Sequence, residues 1–234
     1  MELKMTIKNI IVTGASRGIG FELVKYFSEQ NHHVLAVTRN RQKIDLLQKT
    51  HSNIASLEVD ITKDKELNVL VNFVKNRWER VDIVIHNAGA LIHKPFFKTT
   101  AKDFLYVYKV NVFAVAELTK KILPFLHKGS HVVAISSIGG VQGSVKFAGL
   151  SAYSSSKGAL IILMELLAEE YKESGISFNT LALGAVQTEM LSLAFPDFKA
   201  SVSAAEMADY IANFSLTGNK VYNGKILQVS NSTP

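Results

Sequence analysis

The chain has 234 residues, of which 47% are hydrophobic and 20% charged, a balance typical of one globular α/β domain that buries a core without disulfides. Cysteine is absent, which excludes a disulfide framework, thiolate metal ligands and a cysteine nucleophile. The formal charge of +6 comes from 26 Lys and Arg against 20 Asp and Glu. Because the basic residues are scattered along the chain, we expect a solvated surface and no nucleic-acid partner.

The first residues give no sign of a targeting or membrane segment. Residues 1–8 carry charges at Glu2, Lys4 and Lys8, and they lack the long apolar stretch and small-residue cleavage site of a signal peptide. No apolar run in the sequence approaches the roughly 20 residues needed to cross a bilayer. We therefore expect a cytoplasmic protein with no membrane partner.

Short apolar runs alternate with longer helical patterns along the chain, which predicts βαβ units and a parallel sheet. Several runs are apolar on both faces, as in strands that are covered by helices on each side. The sequence thus predicts a single doubly wound α/β domain of the Rossmann type over residues 1–234, with helices on both faces of a seven-stranded parallel sheet. The predicted strands are 9–13, 33–38, 54–59, 81–85, 131–136, 177–182 and 225–229.

Three helices can be delimited between these strands. Residues 19–29 carry apolar side chains near the 3.6-residue period. Residues 104–126 and 153–171 predict two long helices, and Gly175 follows the second as a plausible stop.

A glycine-rich turn, Thr13-Gly14-Ala15-Ser16-Arg17-Gly18-Ile19-Gly20, joins the first strand to the first helix. Gly14 permits the tight turn, Gly18 lets the backbone approach a pyrophosphate, and Gly20 lets helix and strand pack closely. The helix N-terminus presents unpaired N–H groups to the phosphates. A turn that binds nothing is the alternative, but the position between strand and helix favours a dinucleotide site.

The end of the second strand predicts which dinucleotide binds. An NAD site of this kind usually has Asp or Glu there for the ribose 2′-hydroxyl, whereas a 2′-phosphate requires cations. Here Arg39 follows the strand and no acid precedes Asp45. Arg39 and Arg17 can each bind phosphate through paired N–H bonds, so the sequence predicts NADP(H). A solvated loop arginine is the alternative for Arg39.

Tyr153 and Lys157 lie one turn apart on one face of the second long helix. A tyrosine hydroxyl, with a pKa of about 10, is a poor base at neutral pH, and a nearby ammonium favours the phenolate. In the reductive direction the same hydroxyl protonates a developing alkoxide. Such a pair alone carries little weight, because many exposed helices contain one.

Two serines at the end of the fifth strand are candidates to act together with Tyr153 and Lys157. Strand C-termini in doubly wound folds meet the ligand crevice, and a hydroxyl there can hydrogen-bond a substrate carbonyl and polarise it. Successive strand residues face opposite ways, so only one of Ser136 and Ser137 can do this.

Together these motifs resemble the short-chain dehydrogenase/reductase family over nearly the whole chain. The glycine turn matches the family's TGxxxGxG, Ser137 its catalytic serine, and Tyr153 and Lys157 its YxxxK pair. The resemblance implies that Lys157 also holds the nicotinamide ribose and that Asn111 supports a proton-relay water. The resemblance implies that the catalytic residues are Asn111, Ser137, Tyr153 and Lys157 and that no metal takes part. Together with the prediction for Arg39, it implies that the cofactor is bound by Gly14, Ser16, Arg17, Gly18, Ile19, Gly20, Arg39, Asp60, Ile61, Asn87, Ala88, Gly89, Tyr153, Lys157, Gly184, Val186 and Thr188.

Four of these residues have plain structural alternatives. Asn111 could be a polar residue inside a helix, and Arg17 could be solvent-exposed. Asp60, after the third strand, resembles the acid that contacts adenine, but it could equally be a turn former. Asn87, in the NAG motif Asn87-Ala88-Gly89, could serve mainly to satisfy backbone groups between strands. By resemblance, Gly184 and Thr188 keep the glycine and the threonine that contact the carboxamide.

The chain departs from the family pattern in four places. His86 replaces the first Asn of NNAG, and Leu183 replaces the proline before Gly184. The spacing from Ser137 to Tyr153 is longer than in the acyl-carrier reductases, with residues 144–149 as the extra loop. The stretch after Thr188, a substrate loop over about 188–203, is short, and the common DGG ending is missing near the C-terminus.

The sequence therefore predicts an NADP-dependent carbonyl reductase, reversible as an alcohol dehydrogenase, with Tyr153 as the acid and base. A 3-oxoacyl-carrier-protein reductase and a reductase of small ketones, aldehydes or sugars are both open. The alternative from another class is a non-catalytic NADP-binding regulator on the same fold. An apolar pocket rim of Leu91, Phe96, Phe97, Leu150, Met190 and Phe195 favours a lipid-like or aromatic carbonyl or acyl substrate.

The resemblance also implies a homodimer or homotetramer. The helices at 104–126 and 153–174 would pack across a two-fold axis through apolar outward faces. His93 follows the NAG loop and could line the substrate mouth, although a solvated loop histidine is the more ordinary interpretation.

Overall fold

The computed structural model describes residues 6–231. Residues 1–5, on which the expectation of no signal peptide partly rests, lie outside the described residues. Within the described range, no helix is both long and apolar enough to cross a membrane.

The alternating pattern folds into one sheet of seven parallel strands. The strands are β1 (Asn9–Thr13), β2 (His33–Thr38), β3 (Ile54–Glu58), β4 (Ile83–His86), β5 (His131–Ser137), β6 (Ser177–Leu183) and β7 (Ile226–Val229). Their order across the sheet is β3-β2-β1-β4-β5-β6-β7, so the winding direction reverses between β1 and β4. This is a doubly wound Rossmann-type sheet, and the predicted fold class is confirmed.

The helices alternate with the strands along the chain. They are α1 (Gly18–Glu29), α2 (Gln42–Gln48), α3 (Asp64–Arg77), α4 (Ala101–Tyr108), α5 (Ala114–Ile122), α6 (Ser151–Glu170), α7 (Glu189–Ala194) and α8 (Ala204–Thr217). Helix α6 is followed by a short 3₁₀ turn that ends at Gly175, whose φ of 71° fits the predicted stop.

The long helix expected over residues 104–126 is a composite. It consists of α4, a π-helical turn (Lys109–Phe113), α5 and a final 3₁₀ turn. A π turn inserts one extra residue into a helix and needs no proline or glycine that would mark it in the sequence. Such turns are frequent at functional sites. The apolar period predicted the helix, but it could not show the interruption at Asn111.

Two apolar cores lie on opposite faces of the sheet. Ile10 and Val12 of β1 face α1 and α8, whereas Ile11 between them faces the core that α3, α5 and α6 cover. The inner strands are therefore buried on both faces, which explains their continuous apolar runs. Because helices cover both faces of the sheet, a site can form in the loops at the carboxyl ends of the strands.

Candidate active site

The glycine turn forms at the carboxyl end of β1, where the sheet order reverses. Gly14 and Gly18 have φ of 69° and 53°, a region that other residues rarely adopt. A Cβ on Gly20 would lie 2.3 Å from the carbonyl oxygen of Gly14 and 2.4 Å from Nδ2 of Asn87. Gly20 thus lets α1 start tightly against the turn itself, and the first N–H groups of α1 point toward the crevice.

Asn87 fastens this turn to the neighbouring strand. Its Nδ2 donates to the carbonyl oxygens of Thr13, at 3.0 Å, and of Gly14, at 3.2 Å. The backbone N–H groups of Asn87 and Ala88 both donate to the Thr13 hydroxyl at 3.1 Å. The Asn87 side chain therefore satisfies backbone groups and fixes the shape of the glycine turn.

Asp60 and Arg39 lie together at the ends of β3 and β2. Oδ1 of Asp60 accepts from the N–H and the hydroxyl of Thr62, at 3.0 and 2.8 Å, so Asp60 does form a turn. Burial tends to raise the pKa of Asp60, but the hydrogen bonds from Thr62 and the charges of Lys63 and Arg39 outweigh it and lower the pKa. Arg39 makes no ion pair among residues 6–231, whereas Arg41 pairs with Asp45 at 3.1 Å.

Ser136 and Ser137 do face opposite ways. The Ser136 hydroxyl is buried and donates to the carbonyl oxygen of Lys157 at 3.0 Å, which anchors α6. Ser137 lines the crevice, accepts from the N–H of Gly139 at 3.2 Å, and hydrogen-bonds the Tyr153 hydroxyl. Of the two hydroxyls, that of Ser137 is therefore the one at the crevice.

Tyr153 and Lys157 lie on one face of the first turns of α6. The Lys157 ammonium donates to the carbonyl oxygen of Ile135 at 2.7 Å and lies 5.8 Å from the centre of the Tyr153 ring. Burial lowers the pKa of Lys157 to about 8. Strand β5 therefore holds the ammonium beside the phenol ring and under the crevice floor.

Burial, rather than the charge of Lys157, dominates the pKa of the Tyr153 hydroxyl in this arrangement. Burial raises the pKa of Tyr153 to about 12, and the hydrogen bond with Ser137 only partly offsets that rise. The ammonium lies over the Tyr153 ring, 5.8 Å from its centre, and donates to the carbonyl oxygen of Ile135. The Tyr153 hydroxyl is accordingly protonated and neutral at pH 7.

Asn111 is completely buried in the π-helical turn. Its Oδ1 accepts from the N–H of Ala90 at 2.8 Å, and its Nδ2 donates to the carbonyl oxygen of Ala90 and to the Ser156 hydroxyl, both at 2.9 Å. Ser156, which the sequence did not single out, donates in turn to the carbonyl oxygen of Tyr153 at 2.7 Å. Both amide hydrogens of Asn111 are therefore used to join the loop after β4 to helix α6.

The segment after β6 closes the crevice from the other side. The N–H of Gly184 donates to the carbonyl oxygen of Val229 at 2.9 Å, and Val186 is buried. Thr188 caps the short helix α7 through its hydroxyl, which accepts from the N–H of Leu191 at 3.3 Å. The predicted substrate loop of about 188–203 thus begins with a helix and returns at an isolated bridge between Gln187 and Ser203.

Arg17 lines the crevice, but its guanidinium binds a carboxylate. Nη1 of Arg17 pairs with Oε2 of Glu189, the first residue of α7, and both side chains are about half-exposed. The two residues are 172 positions apart, so local sequence patterns could not show this pairing.

One crevice of about 760 Å³ collects nearly all of the predicted site residues. Only Gly20 and Asn111 lie behind its wall, in supporting positions. Sequence reasoning missed several lining residues, which are spread over the end of β2, the segment after it, the loop after β3, α4, the π turn and the loop before α6, and which belong to no motif of their own. These residues are Thr38, Asn40, Lys43, Thr62, Tyr106, Lys109, Val110 and Phe147.

The apolar rim is only partly as expected. Leu91, Leu150, Met190 and Phe195 line the crevice. Phe96 and Phe97 do not, and their exposed fractions of 72% and 83% show that the 3₁₀ turn carrying them projects into solvent. Phe147 from the extra loop takes their place, with its ring 6.2 Å from that of Phe195.

His93 lies at the margin of this aromatic group and is exposed. Its ring is 5.1 Å from that of Phe195, and its Nε2 lies 3.2 Å from the carbonyl oxygen of Ala148. It therefore contacts a pocket residue without lining the crevice itself. Among the described residues, no group of three or more His, Asp or Glu side chains is arranged to hold a metal ion.

The family model for short chain dehydrogenases matches residues 8–197. The chain belongs to the short-chain dehydrogenase/reductase family. The 7alpha-hydroxysteroid dehydrogenase of Escherichia coli is 30% identical over 195 residues, which cover 81% of this chain and 75% of that protein. A 3-oxoacyl-[acyl-carrier-protein] reductase of Buchnera aphidicola is 30% identical over 190 residues, covering 80% and 77% respectively.

Solved structures of the family share the fold. A 4-hydroxyisoleucine dehydrogenase complexed with NADH superposes with a TM-score of 0.86 at 22% identity, over 96% of this chain and 98% of that one. A short chain dehydrogenase of Burkholderia cenocepacia in complex with NADP also gives 0.86, at 23% identity, over 96% and 97%. This family member is therefore an oxidoreductase of the CH–OH/C=O type.

Proposed function

We propose that the protein is an NADP-dependent carbonyl reductase in which Tyr153 delivers the proton. The observation that carries this proposal is that one crevice holds both the glycine turn and the cluster of Ser137, Tyr153 and Lys157. A dinucleotide that lies with its phosphates at the turn extends along the strand ends toward Tyr153. The whole chain, residues 1–234, is then one cofactor-binding domain that carries its own catalytic groups.

The residues of the turn fit a nicotinamide dinucleotide. Gly14 and Gly20 leave room that a Cβ would fill with clashes, and the N-terminus of α1 supplies N–H groups to phosphates. When bound, the reduced nicotinamide supplies the hydride. Lys157, Asn87 and the segment from Gly184 to Thr188 would hold its ribose and carboxamide.

The side chains at the crevice floor divide the remaining chemistry. The Ser137 hydroxyl donates to the substrate carbonyl oxygen and polarises it. Tyr153, kept neutral by burial that raises its pKa to about 12, gives its proton to the alkoxide oxygen as it forms. Lys157, anchored on Ile135, stabilises the phenolate that remains.

Proton resupply to Tyr153 would use the backbone of the π turn. Both amide hydrogens of Asn111 are taken by Ala90 and Ser156, so its side chain positions the loop and the helix. A relay water is then held by backbone oxygens of that turn, since a π turn leaves a carbonyl without its usual helical partner.

NADP is proposed over NAD because of the charges at the end of β2. Arg39 and Lys43 line this end of the crevice, and the nearest acid on it, Asp60, already accepts two hydrogen bonds from Thr62. No carboxylate follows β2 directly to bind a ribose 2′-hydroxyl. A 2′-phosphate would therefore meet cations.

The proposed substrate is a carbonyl or acyl compound with an apolar body. Phe147, Leu150, Met190 and Phe195 form an apolar wall next to Tyr153. Relatives named for a hydroxysteroid and for a 3-oxoacyl carrier conjugate both act on such compounds. The proposed location is the cytoplasm.

We also propose a homodimer or homotetramer that packs through the helices at 104–126 and 153–174. Leu105, Phe113, Ile162 and Leu166 are each more than half exposed on these helices. Large apolar side chains exposed on these helices support an interface there. Light scattering should give two or four times the mass of 25.8 kDa, and a monomer would contradict it.

An NADPH-oxidation screen tests the proposed function. The panel comprises acyl thioesters, diketones, quinones, aldehydes, sugars and steroid ketones, and we expect turnover with at least one apolar class. Tight NADPH binding without oxidation on the whole panel would instead favour a non-catalytic NADP-binding regulator.

A further inference from the structure

The ion pair between Arg17 and Glu189 bridges the crevice at the phosphate end. Arg17 is the residue before α1, in the glycine turn, and Glu189 opens α7, on the segment that closes the crevice. Both line the crevice, and next to them a Cβ on Gly18 would lie 3.5 Å from Cγ2 of Thr188. The pair thus lies across the gap between the glycine turn and the closing segment.

This pair is suited to being exchanged. Its side chains are 54% and 56% exposed, and exposed ion pairs contribute only about 0.2–1 kcal/mol. A phosphate group carries at least the charge of a carboxylate and accepts paired N–H bonds from a guanidinium equally well. Arg17 therefore loses little by leaving Glu189 for a phosphate, and Glu189 is repelled by the same phosphate.

Glu189 also connects the closing segment to the turn. The far end of that segment is held by Gln187, whose N–H donates to the carbonyl oxygen of Val202 at 2.8 Å and whose Oε1 accepts from the N–H of Ala200 at 2.9 Å. Helix α7 itself has no polar side-chain contact with the glycine turn, among the described residues, other than Glu189 with Arg17. Within α7, the Ser192 hydroxyl also accepts from Nε2 of Gln187 at 3.2 Å, so losing the Arg17 pair loosens α7 from the glycine turn while leaving its anchor intact.

We propose that Glu189 is a positioning residue that sets cofactor affinity: it holds Arg17 and α7 together until the dinucleotide phosphates displace it, and so couples cofactor binding to movement of the closing segment. This inference rests on the proposed function in one respect, namely that an NADP phosphate occupies the crevice. Glu189 then acts as an internal competitor for Arg17.

Binding of NADPH to Glu189→Gln tests the competition. We expect the variant to bind NADPH about two- to fivefold more tightly than the wild type, by fluorescence titration, because the competing carboxylate is gone. In the Arg17→Gln background the same change should give no gain. Asp197→Asn is the matched control, since Asp197 is an exposed acid on the same segment that does not line the crevice.

Hydrogen exchange tests the coupling to α7. In the free protein, the amides of residues 189–195 should exchange faster in Glu189→Gln than in the wild type, and the two NADPH complexes should exchange alike. Equal or weaker NADPH binding by the variant, or the same gain without Arg17, overturns the inference. Wild-type protein that binds NADPH but reduces no carbonyl defeats the proposed function alone, because these readouts need no turnover.

Discussion

Ser136 and Ser137 are neighbours in sequence, yet they have different roles because β5 turns one inward and the other into the crevice. The alternation of a strand predicted that only one could face the substrate, but not which one. Which serine faces the crevice depends on the register of β5 against β6 and on the carbonyl oxygen of Lys157, which accepts a hydrogen bond from the Ser136 hydroxyl. Likewise, the residue types of Tyr153 and Lys157 were visible in the sequence, whereas burial, which governs the pKa of both, was not.

The predicted preference for NADP over NAD depends on Arg39. Arg39→Asp removes a cation and adds a carboxylate where a 2′-phosphate would lie, so the NADP:NAD ratio of kcat/KM should fall by roughly 10- to 100-fold. Steady-state kinetics with both cofactors measures it. Arg41→Gln is the control, since Arg41 pairs with Asp45 outside the crevice and its loss should leave the ratio unchanged. An unaltered ratio in Arg39→Asp would remove the basis for NADP.

At the scale of elements, the strands were predicted well and the interrupted helix was not. The bounds of β1 and β2 are those expected, because apolar runs flanked by polar residues define a buried strand sharply. The π turn at 109–113, the helix α7 and the outward position of Phe96 arise from tertiary contacts and leave no period in the sequence. Motif spacing therefore located the glycine turn and the residues around Tyr153, while the outward position of Phe96 and the contribution of Phe147 to the apolar rim had to come from the structure.

Gly20 gives a test of how the turn and α1 fit together. Gly20→Ala places a methyl group 2.3 Å from the Gly14 carbonyl oxygen, and because backbone must move, we expect a loss of about 1–3 kcal/mol in unfolding free energy and weaker NADPH binding. Urea unfolding and fluorescence titration measure the two effects. Gly158→Ala is the comparison, since its nearest neighbour lies at 3.1 Å and the helix gains propensity. A Gly20→Ala protein as stable as Gly158→Ala would contradict this account of the turn.

Across the whole molecule, the two cores enclose polar groups that make stability depend on pH. His131 is buried between the sheet and α8, with Nδ1 2.9 Å from the carbonyl oxygen of Ser215 and Nε2 2.9 Å from Nδ2 of Asn179. That amide also donates to the carbonyl oxygen of Tyr222, which fixes its orientation. A neutral ring protonated on Nδ1 satisfies both partners, whereas a proton on Nε2 would face another donor.

Acidification should therefore destabilise the fold through its buried histidines. Burial lowers the pKa of His86 and of His131 from 6.5 to about 4, so the unfolded chain takes up protons first as the pH falls. The two histidines contribute fully to the free energy of unfolding above about pH 6.5, and this contribution is lost progressively toward about pH 4. At about pH 5 the loss is about 2 kcal/mol per histidine. Urea unfolding across this range measures it, and His131→Phe should flatten the dependence. A free energy of unfolding that stays constant between about pH 7 and 5 would contradict it.

The identity of the proton donor is the central claim, and Tyr153→Phe tests it most directly. The variant keeps the ring beside Lys157 but lacks the hydroxyl that contacts Ser137, so the kcat of NADPH-dependent carbonyl reduction should fall by about 10²- to 10⁴-fold while NADPH binding survives. Tyr171→Phe, which alters a tyrosine packed on Phe178 away from the crevice, should reduce carbonyls at the wild-type rate. A Tyr153→Phe protein with near-normal kcat would show that another group supplies the proton.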